Sequence, residues 1–157
     1  EDFRDEQSYL IGRARRHNRH VHGWGVINGL DVRVVGNFVE VSPGAAIDCA
    51  GNELVVEVGV ALSMPADARK LVVLLRYVEH GVDPLPTIAS DAGTHDAVQF
   101  SHIEEGCELD LSEDAWADPH PALAPCTPGC GEAHDLAIAR LNRTRSGWRR
   151  TLLSRRA

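Results

Sequence analysis

The sequence lacks several features that would assign it to a class at once. It has no apolar run near the roughly 20 residues that a membrane-spanning helix needs, and no hydrophobic region typical of a signal peptide. A glycine-rich phosphate loop, a serine nucleophile elbow and a Ser-His-Asp arrangement are also missing. These absences predict no membrane span and disfavour nucleotide-binding enzymes and serine hydrolases. The chain starts at Glu1 rather than Met, so we expect further sequence before it.

Basic residues are missing from the middle of the chain. No Lys or Arg lies in the 63 residues between Arg76 and Arg140, which hold 13 Asp and Glu. The last 18 residues then carry seven arginines: Arg140, Arg143, Arg145, Arg149, Arg150, Arg155 and Arg156. An acidic middle and a basic tail could pair within one chain or between neighbouring subunits. Nucleic acid is a weak candidate partner, because the acidic domain would repel phosphate.

The N-terminal segment is predicted to form a helix over residues 2–22. Asp2 is a suitable N-cap, and Gly23 is a suitable residue to end the helix. One face collects the apolar residues and one histidine: Phe3, Leu10, Ala14, His17 and Val21. This spacing predicts an amphipathic helix whose apolar face packs on the rest of the domain or against a neighbouring subunit.

The remainder of the chain is predicted to be mostly β. Its length of 157 residues and its 43% hydrophobic content suit a single domain, 1–157. Residues 24–78 alternate with period two and are expected to form the first half of the β-core, including a strand in the run 71–75 that is buried on both faces. Residues 79–135 predict an acidic loop region, bearing Pro and Cys, with one strand at 107–111, and residues 136–154 predict the C-terminal strands. About seven short strands after one helix favour a β-sandwich or small barrel.

Three histidines at the end of the helix form the first candidate site. His17 and His20 are three residues apart on one helical face, and His22 could join them as a zinc ligand. No Asp or Glu lies between them, so a zinc-dependent hydrolase would need its general base from elsewhere. The alternative is that His17 packs on the core while the others lie near the helix carbonyls or in solvent.

The cysteines form the second candidate site. Cys126 and Cys130 make a C-x3-C pair around a Pro-Gly turn. The nearest residues that could complete a structural zinc site are Cys107, His120 and His134, and we expect the set Cys107, Cys126, Cys130 and His134. The alternatives are a disulfide, joining Cys126 to Cys130 or either of them to Cys107, and free thiols. Cys49 is expected to be a small buried hydrophobic residue.

Asp48 and Glu53 flank a turn and could be taken for a carboxylate pair. An Asp at the start of such a turn ordinarily accepts hydrogen bonds from backbone amides, and we expect that role for Asp48.

The blocks 2–7, 17–30 and 41–53, together with Tyr9, resemble a bacterial helix-plus-β module. The segment Val41-Ser42-Pro43-Gly44-Ala45-Ala46-Ile47-Asp48 is its most typical part. Some proteins with this module resemble tail-fibre or baseplate components of phages and contractile injection systems. The resemblance implies a structural protein that forms homo-oligomers or binds other subunits, in a virion-like particle or an extracellular appendage after a cytoplasmic stage. It carries over no catalytic or cofactor-binding residue. A small ligand-binding β-module is a further alternative.

Overall fold

The computed structural model describes residues 2–84, 100–113 and 129–153. Helix α1 spans Asp2–His17 and continues into one π-helical turn, Asn18–His22. Ten strands follow: β1 (Gly25–Gly29), β2 (Val32–Val35), β3 (Phe38–Val41), β4 (Gly44–Ile47), β5 (Glu53–Val56), β6 (Val60–Ser63), β7 (Lys70–Pro84), β8 (Phe100–Ser112), β9 (Leu136–Thr144) and β10 (Gly147–Leu152). Within the described ranges, neither helical segment has the length and apolar character needed to cross a membrane.

The strands form three open antiparallel sheets. Two of them have three strands, in the orders β1-β4-β5 and β2-β3-β6. The third has four strands in the order β10-β9-β7-β8, so that β10 and β8 are its two edges. The predicted class, mostly β with one N-terminal helix, is confirmed. The strand number is ten rather than about seven, and the sheets do not close into a barrel.

One hydrophobic core joins the three sheets. It includes side chains that are fully buried in each sheet, such as Val39, Leu54 and Ile138. In β7, the run Leu71–Leu75 is at most 6% exposed at every position, which confirms the prediction of a strand buried on both faces. The continuous apolar sequence follows from this burial, because neither face of the strand contacts water.

The structure differs from the predicted loop region 79–135 in its described parts. Strand β7 continues to Pro84, and β8 begins at Phe100 rather than near residue 107. The two strands pair in register from Val72↔Ser112 to Pro84↔Phe100. The outer part of this hairpin extends beyond the core and is polar. Because it has no hydrophobic alternation, its sequence does not mark it as a strand.

Helix α1 faces the sheets with a different side from the one that its apolar residues predict. Leu10 is 54% exposed and Val21 is 64% exposed, and His17 is exposed as well. The side chains that turn towards the body are Arg15, which is partly buried, and Asn18, which is only 6% exposed. The helix is therefore attached through polar contacts, and the described side chains of its predicted apolar face, those of Leu10, Ala14, His17 and Val21, are exposed.

Candidate functional site at the junction of helix and sheets

The three predicted histidine ligands lie where α1 ends, and all three side chains are exposed. The rings of His17 and His22 meet edge to face, with 5.5 Å between their centroids and 71° between their planes. Within residues 2–84, 100–113 and 129–153, no group of three His, Cys, Asp or Glu side chains is placed to hold a metal ion. The histidine zinc site therefore stays a prediction.

Asn18 joins the helix to the turn between β4 and β5. Its Nδ2 atom donates to the carbonyl oxygen of Gly51 and to Oε1 of Glu53, both at 3.1 Å. Gly51 has a φ of +91°, and a Cβ atom there would lie 2.2 Å from the carbonyl oxygen of Arg15. Only glycine fits this close approach of turn and helix without strain. These contacts could not be predicted from the sequence, because a single Asn in a helix has no characteristic pattern.

The turn itself is organised by Asp48, which is 1% exposed. Its Oδ1 atom accepts the N–H groups of Ala50 at 2.9 Å and Asn52 at 2.8 Å, and its Oδ2 atom accepts Nδ2 of Asn52 at 2.7 Å. Burial raises the pKa of the Asp48 carboxyl, while these hydrogen bonds act in the opposite direction. The prediction that Asp48 binds backbone amides is confirmed, and the turn is a structural element in which Asp48 and Glu53 have different partners.

A second polar cluster connects α1 to the β7–β8 hairpin. Arg15 donates from Nη2 to the hydroxyl of Tyr77 at 2.8 Å, to Glu79 at 3.1 Å and to Glu105 at 3.2 Å. Its guanidinium group also lies over the Tyr77 ring, 5.3 Å from the centroid. Glu79 and Glu105 are directly opposite each other on β7 and β8, where two negative charges would repel. Arg15 offsets this repulsion.

Tyr77 lies at the centre of this cluster. Its hydroxyl is 2.8 Å from Oε1 of Glu79 and 2.7 Å from Oε1 of Glu105. Burial raises the pKa of Tyr77, and the hydrogen bonds to the carboxylates of Glu105 and Glu79 raise it further. The phenol is therefore held in its neutral form as a hydrogen-bond donor, which suits a structural contact and not a nucleophile. These four residues come from three elements, α1, β7 and β8, so sequence spacing could not have grouped them.

The predicted zinc ligands are divided between two places. The Cys107 thiol, on β8, donates to the carbonyl oxygen of Val55 at 3.2 Å, and burial raises its pKa. Sγ of Cys130 is 3.4 Å from Nε2 of His134. Cys107 and Cys130 are both free thiols, so the disulfide alternatives are not formed. Cys126 lies outside the described residues.

The segment around Cys130 packs against the same part of the structure as the end of α1 and the β4–β5 turn. The N–H group of Gly131 donates to the carbonyl oxygen of Cys49 at 3.2 Å, and Cys49 is 4% exposed, as predicted. The end of α1, the β4–β5 turn and the chain around Cys130 therefore meet at one place, which we call the junction.

No family model matches the chain, and no curated protein or solved structure is detectably similar to it.

Proposed function

We propose that this protein is a structural subunit that associates head to tail with further copies of itself, in an assembly of the phage-tail or appendage type that its sequence resembles. The observation that carries the proposal is the distribution of charge across the four-stranded sheet. Acidic side chains line one edge of this sheet and arginines line the other.

The acidic edge is strand β8, where Glu108 and Asp110 are exposed. A groove of about 600 Å³ is lined by residues of β5 and β8 and contains further carboxylates, those of Glu53, Glu57 and Glu105. Two exposed valines also lie on this groove, Val55 at 51% and Val58 at 75% exposure. The surface thus offers apolar contact area together with negative charge, the combination found in protein interfaces.

The basic edge is strand β10, which carries Arg149 and Arg150, with Arg145 in the turn before it and Arg143 opposite Trp148 on β9. All four arginines are exposed. Within the part of the chain that the structure describes, the ion pairs use Arg15 and Arg76 and none of these arginines. Arg143 and Arg150 donate instead to the carbonyl oxygens of Ala66 and Val32.

The two edges are too far apart to neutralise each other within one chain. Strands β9 and β7 lie between β10 and β8, which puts the edges about 14 Å apart at the usual strand spacing. Of the two alternatives for the charged segments, pairing between subunits is therefore the one that this geometry favours.

Strand direction supports the same contact. Every neighbouring pair in the sheet is antiparallel, so β10 and β8 run in opposite directions. A second copy placed beside the first in the same orientation would bring its β10 antiparallel to β8, which continues the pattern of the sheet. Such a heterologous contact repeats and forms rings or filaments.

The test is sedimentation at low and high salt with charge-reversed variants. We expect the wild type to associate at low salt and to dissociate as salt rises. Arg149→Glu should abolish association, as should Glu108→Arg, while the double variant should regain it because the charges are again complementary. Arg13→Glu, an equal change of charge on an exposed helix position, is the control and should associate like the wild type. A wild type that stays monomeric at high concentration in both salts would refute the proposal, as would equal effects of Arg149→Glu and Arg13→Glu.

Two alternatives remain predictions. A zinc hydrolase would need the His20 imidazole to join those of His17 and His22, whose rings already meet, and would need a general base. Within the described ranges, no three His, Cys, Asp or Glu side chains are placed to hold a metal ion. A small ligand-binding module could use a groove of about 770 Å³ lined by Arg69, Arg143 and Arg145 with Asp67 and Thr144, where the three arginines outnumber the one carboxylate and favour an anionic ligand.

A further inference from the structure

Cys130 and His134 bring a thiol and an imidazole into direct contact outside any helix or strand. Sγ of Cys130 and Nε2 of His134 are 3.4 Å apart. Two ligands of one tetrahedral zinc ion, at the usual bond lengths of about 2.3 Å for sulfur and about 2.0–2.1 Å for nitrogen, lie about 3.5 Å from each other. The observed separation is that of a direct hydrogen bond between the thiol and the imidazole, and the same separation lets both atoms bind one ion.

The backbone of Glu132 contacts the sulfur of Cys130. The N–H group of Glu132 donates to Sγ of Cys130 at 3.3 Å, and the thiol donates to the carbonyl oxygen of Glu132 at 3.8 Å. These contacts fix the position of the sulfur, which binds metals as a thiolate. An ion that binds here therefore displaces the thiol proton to solvent and keeps this amide contact.

The segment is also held in place before any ion binds. On one side of Cys130, a Cβ atom at Gly129 would lie 2.1 Å from the carbonyl oxygen of Cys49, so only glycine permits this packing. On the other side, the N–H group of Gly131 donates to that same oxygen. Cys49 is buried, and both neighbours of Cys130 are thus anchored to the core. Ligands on an anchored backbone lose little conformational freedom on binding.

We propose that Cys130 Sγ and His134 Nε2 are two ligands of a zinc-class divalent ion that fixes this segment to the junction. A thiolate with an imidazole selects zinc-class ions over magnesium and calcium, which prefer oxygen ligands. Two side chains do not complete a tetrahedral site, and the described ranges contain no group of three ligands. This inference is independent of self-association.

The experiment is a titration of the full chain, purified under reducing conditions and freed of metal, with Co²⁺ as a spectroscopic probe and with Zn²⁺ followed by elemental analysis. We expect one ion per chain in the wild type and sulfur-to-cobalt charge-transfer absorption. Cys130→Ser and His134→Ala should each weaken binding by at least about 10-fold, since losing a ligand costs no less than losing a residue that only orients a ligand. Cys107→Ser and His20→Ala are the matched controls and should bind like the wild type.

Alkylation provides an independent measurement. Bound Zn²⁺ should protect Cys130 from iodoacetamide, as judged by mass spectrometry of the modified peptides, and should leave the reaction of Cys107 unchanged. The proposal is overturned if the wild type binds no ion, if Cys130→Ser binds as well as the wild type, or if Zn²⁺ fails to slow alkylation of Cys130. It is overturned equally if His20→Ala loses as much metal as His134→Ala. Because Cys130 is exposed, its substitution should leave the circular dichroism spectrum unchanged, which separates loss of a ligand from loss of the fold.

Discussion

The substitution Asn18→Ala tests whether polar contacts attach the helix to the sheets. Asn18 is 6% exposed and is the buried side chain of the π-helical turn. Truncation removes two hydrogen bonds at once, those to the carbonyl oxygen of Gly51 and to the carboxylate of Glu53. Alanine keeps the helix propensity high, so the variant isolates the loss of the tertiary contacts.

The size of the effect follows from the surroundings of each partner. Gly51 is buried, so its carbonyl oxygen loses a partner away from water, which costs about 1–3 kcal/mol. Glu53 is exposed and regains water, so its hydrogen bond contributes only about 0.5–1 kcal/mol. Together we expect Asn18→Ala to lower the free energy of unfolding by about 1.5–4 kcal/mol.

Urea unfolding followed by circular dichroism measures this difference, and Leu10→Ala on the same helix is the control. Leu10 is 54% exposed, so its truncation should cost less than about 1 kcal/mol. The variant that loses more free energy of unfolding shows which contacts attach the helix. If Leu10→Ala destabilises the protein more than Asn18→Ala, the helix is held by its apolar face, and the attachment described above is wrong.

Three further predictions concern other sites. Folding raises the pKa of Tyr77, so the stabilisation from its phenolic proton is complete below about pH 10 and declines as the pH rises above that value. In urea unfolding at several pH values, the excess free energy of unfolding of wild type over Tyr77→Phe should therefore shrink above about pH 10. An excess that stays constant with pH would contradict this prediction. The Arg76–Asp135 pair has two hydrogen bonds, at 2.8 and 2.9 Å, but is exposed. A double-mutant cycle with alanine should therefore give a coupling energy of at most about 1 kcal/mol at low salt and less in about 1 M salt. A coupling energy that salt leaves unchanged would refute the assignment of this pair to the surface. Finally, Cys126→Ser should lower Zn²⁺ occupancy as far as Cys130→Ser does if the C-x3-C pair binds one ion, and full occupancy would remove Cys126 from the ligand set.

The β-content of the fold could be predicted because its signals are local. Alternating residues near the start of the β-core and the apolar run Leu71–Leu75 both express burial directly in the sequence. The outer part of the β7–β8 hairpin could not be predicted in the same way. There, Glu79 and Glu105 stand opposite each other, a pairing that local propensity disfavours. It is tolerated because Arg15, more than 60 residues earlier than Glu79, supplies a positive charge.

The position of the helix shows the opposite error, in which a strong local signal pointed to the wrong contact. The spacing of Leu10, Ala14 and Val21 is that of a face that packs on a core, yet Leu10 and Val21 are exposed in the structure. The contacts that do attach the helix use one Asn and one Arg, each with partners far away along the chain. Such contacts leave no period in the sequence, because a single polar residue is enough to make them.

The two errors have a common consequence for function. A helix that is attached through Asn18 and Arg15 does not need its apolar face for the fold of the single chain, and so that face is available to a neighbouring subunit. The edge arginines are available to a neighbouring subunit in the same way, since Arg149 is exposed on β10, a strand with one free side.

Arginines on a free edge strand can also prevent pairing, because charge is one of the features that keep the edges of sheets apart. The proposed attraction between subunits is favoured over protection from pairing by the opposite edge, β8. This edge is acidic, runs antiparallel to β10 and borders exposed valines. A purely protective edge needs no such complement, and the charge-swapped pair Arg149→Glu with Glu108→Arg therefore separates the two interpretations, since restored association can only come from contact between the two edges.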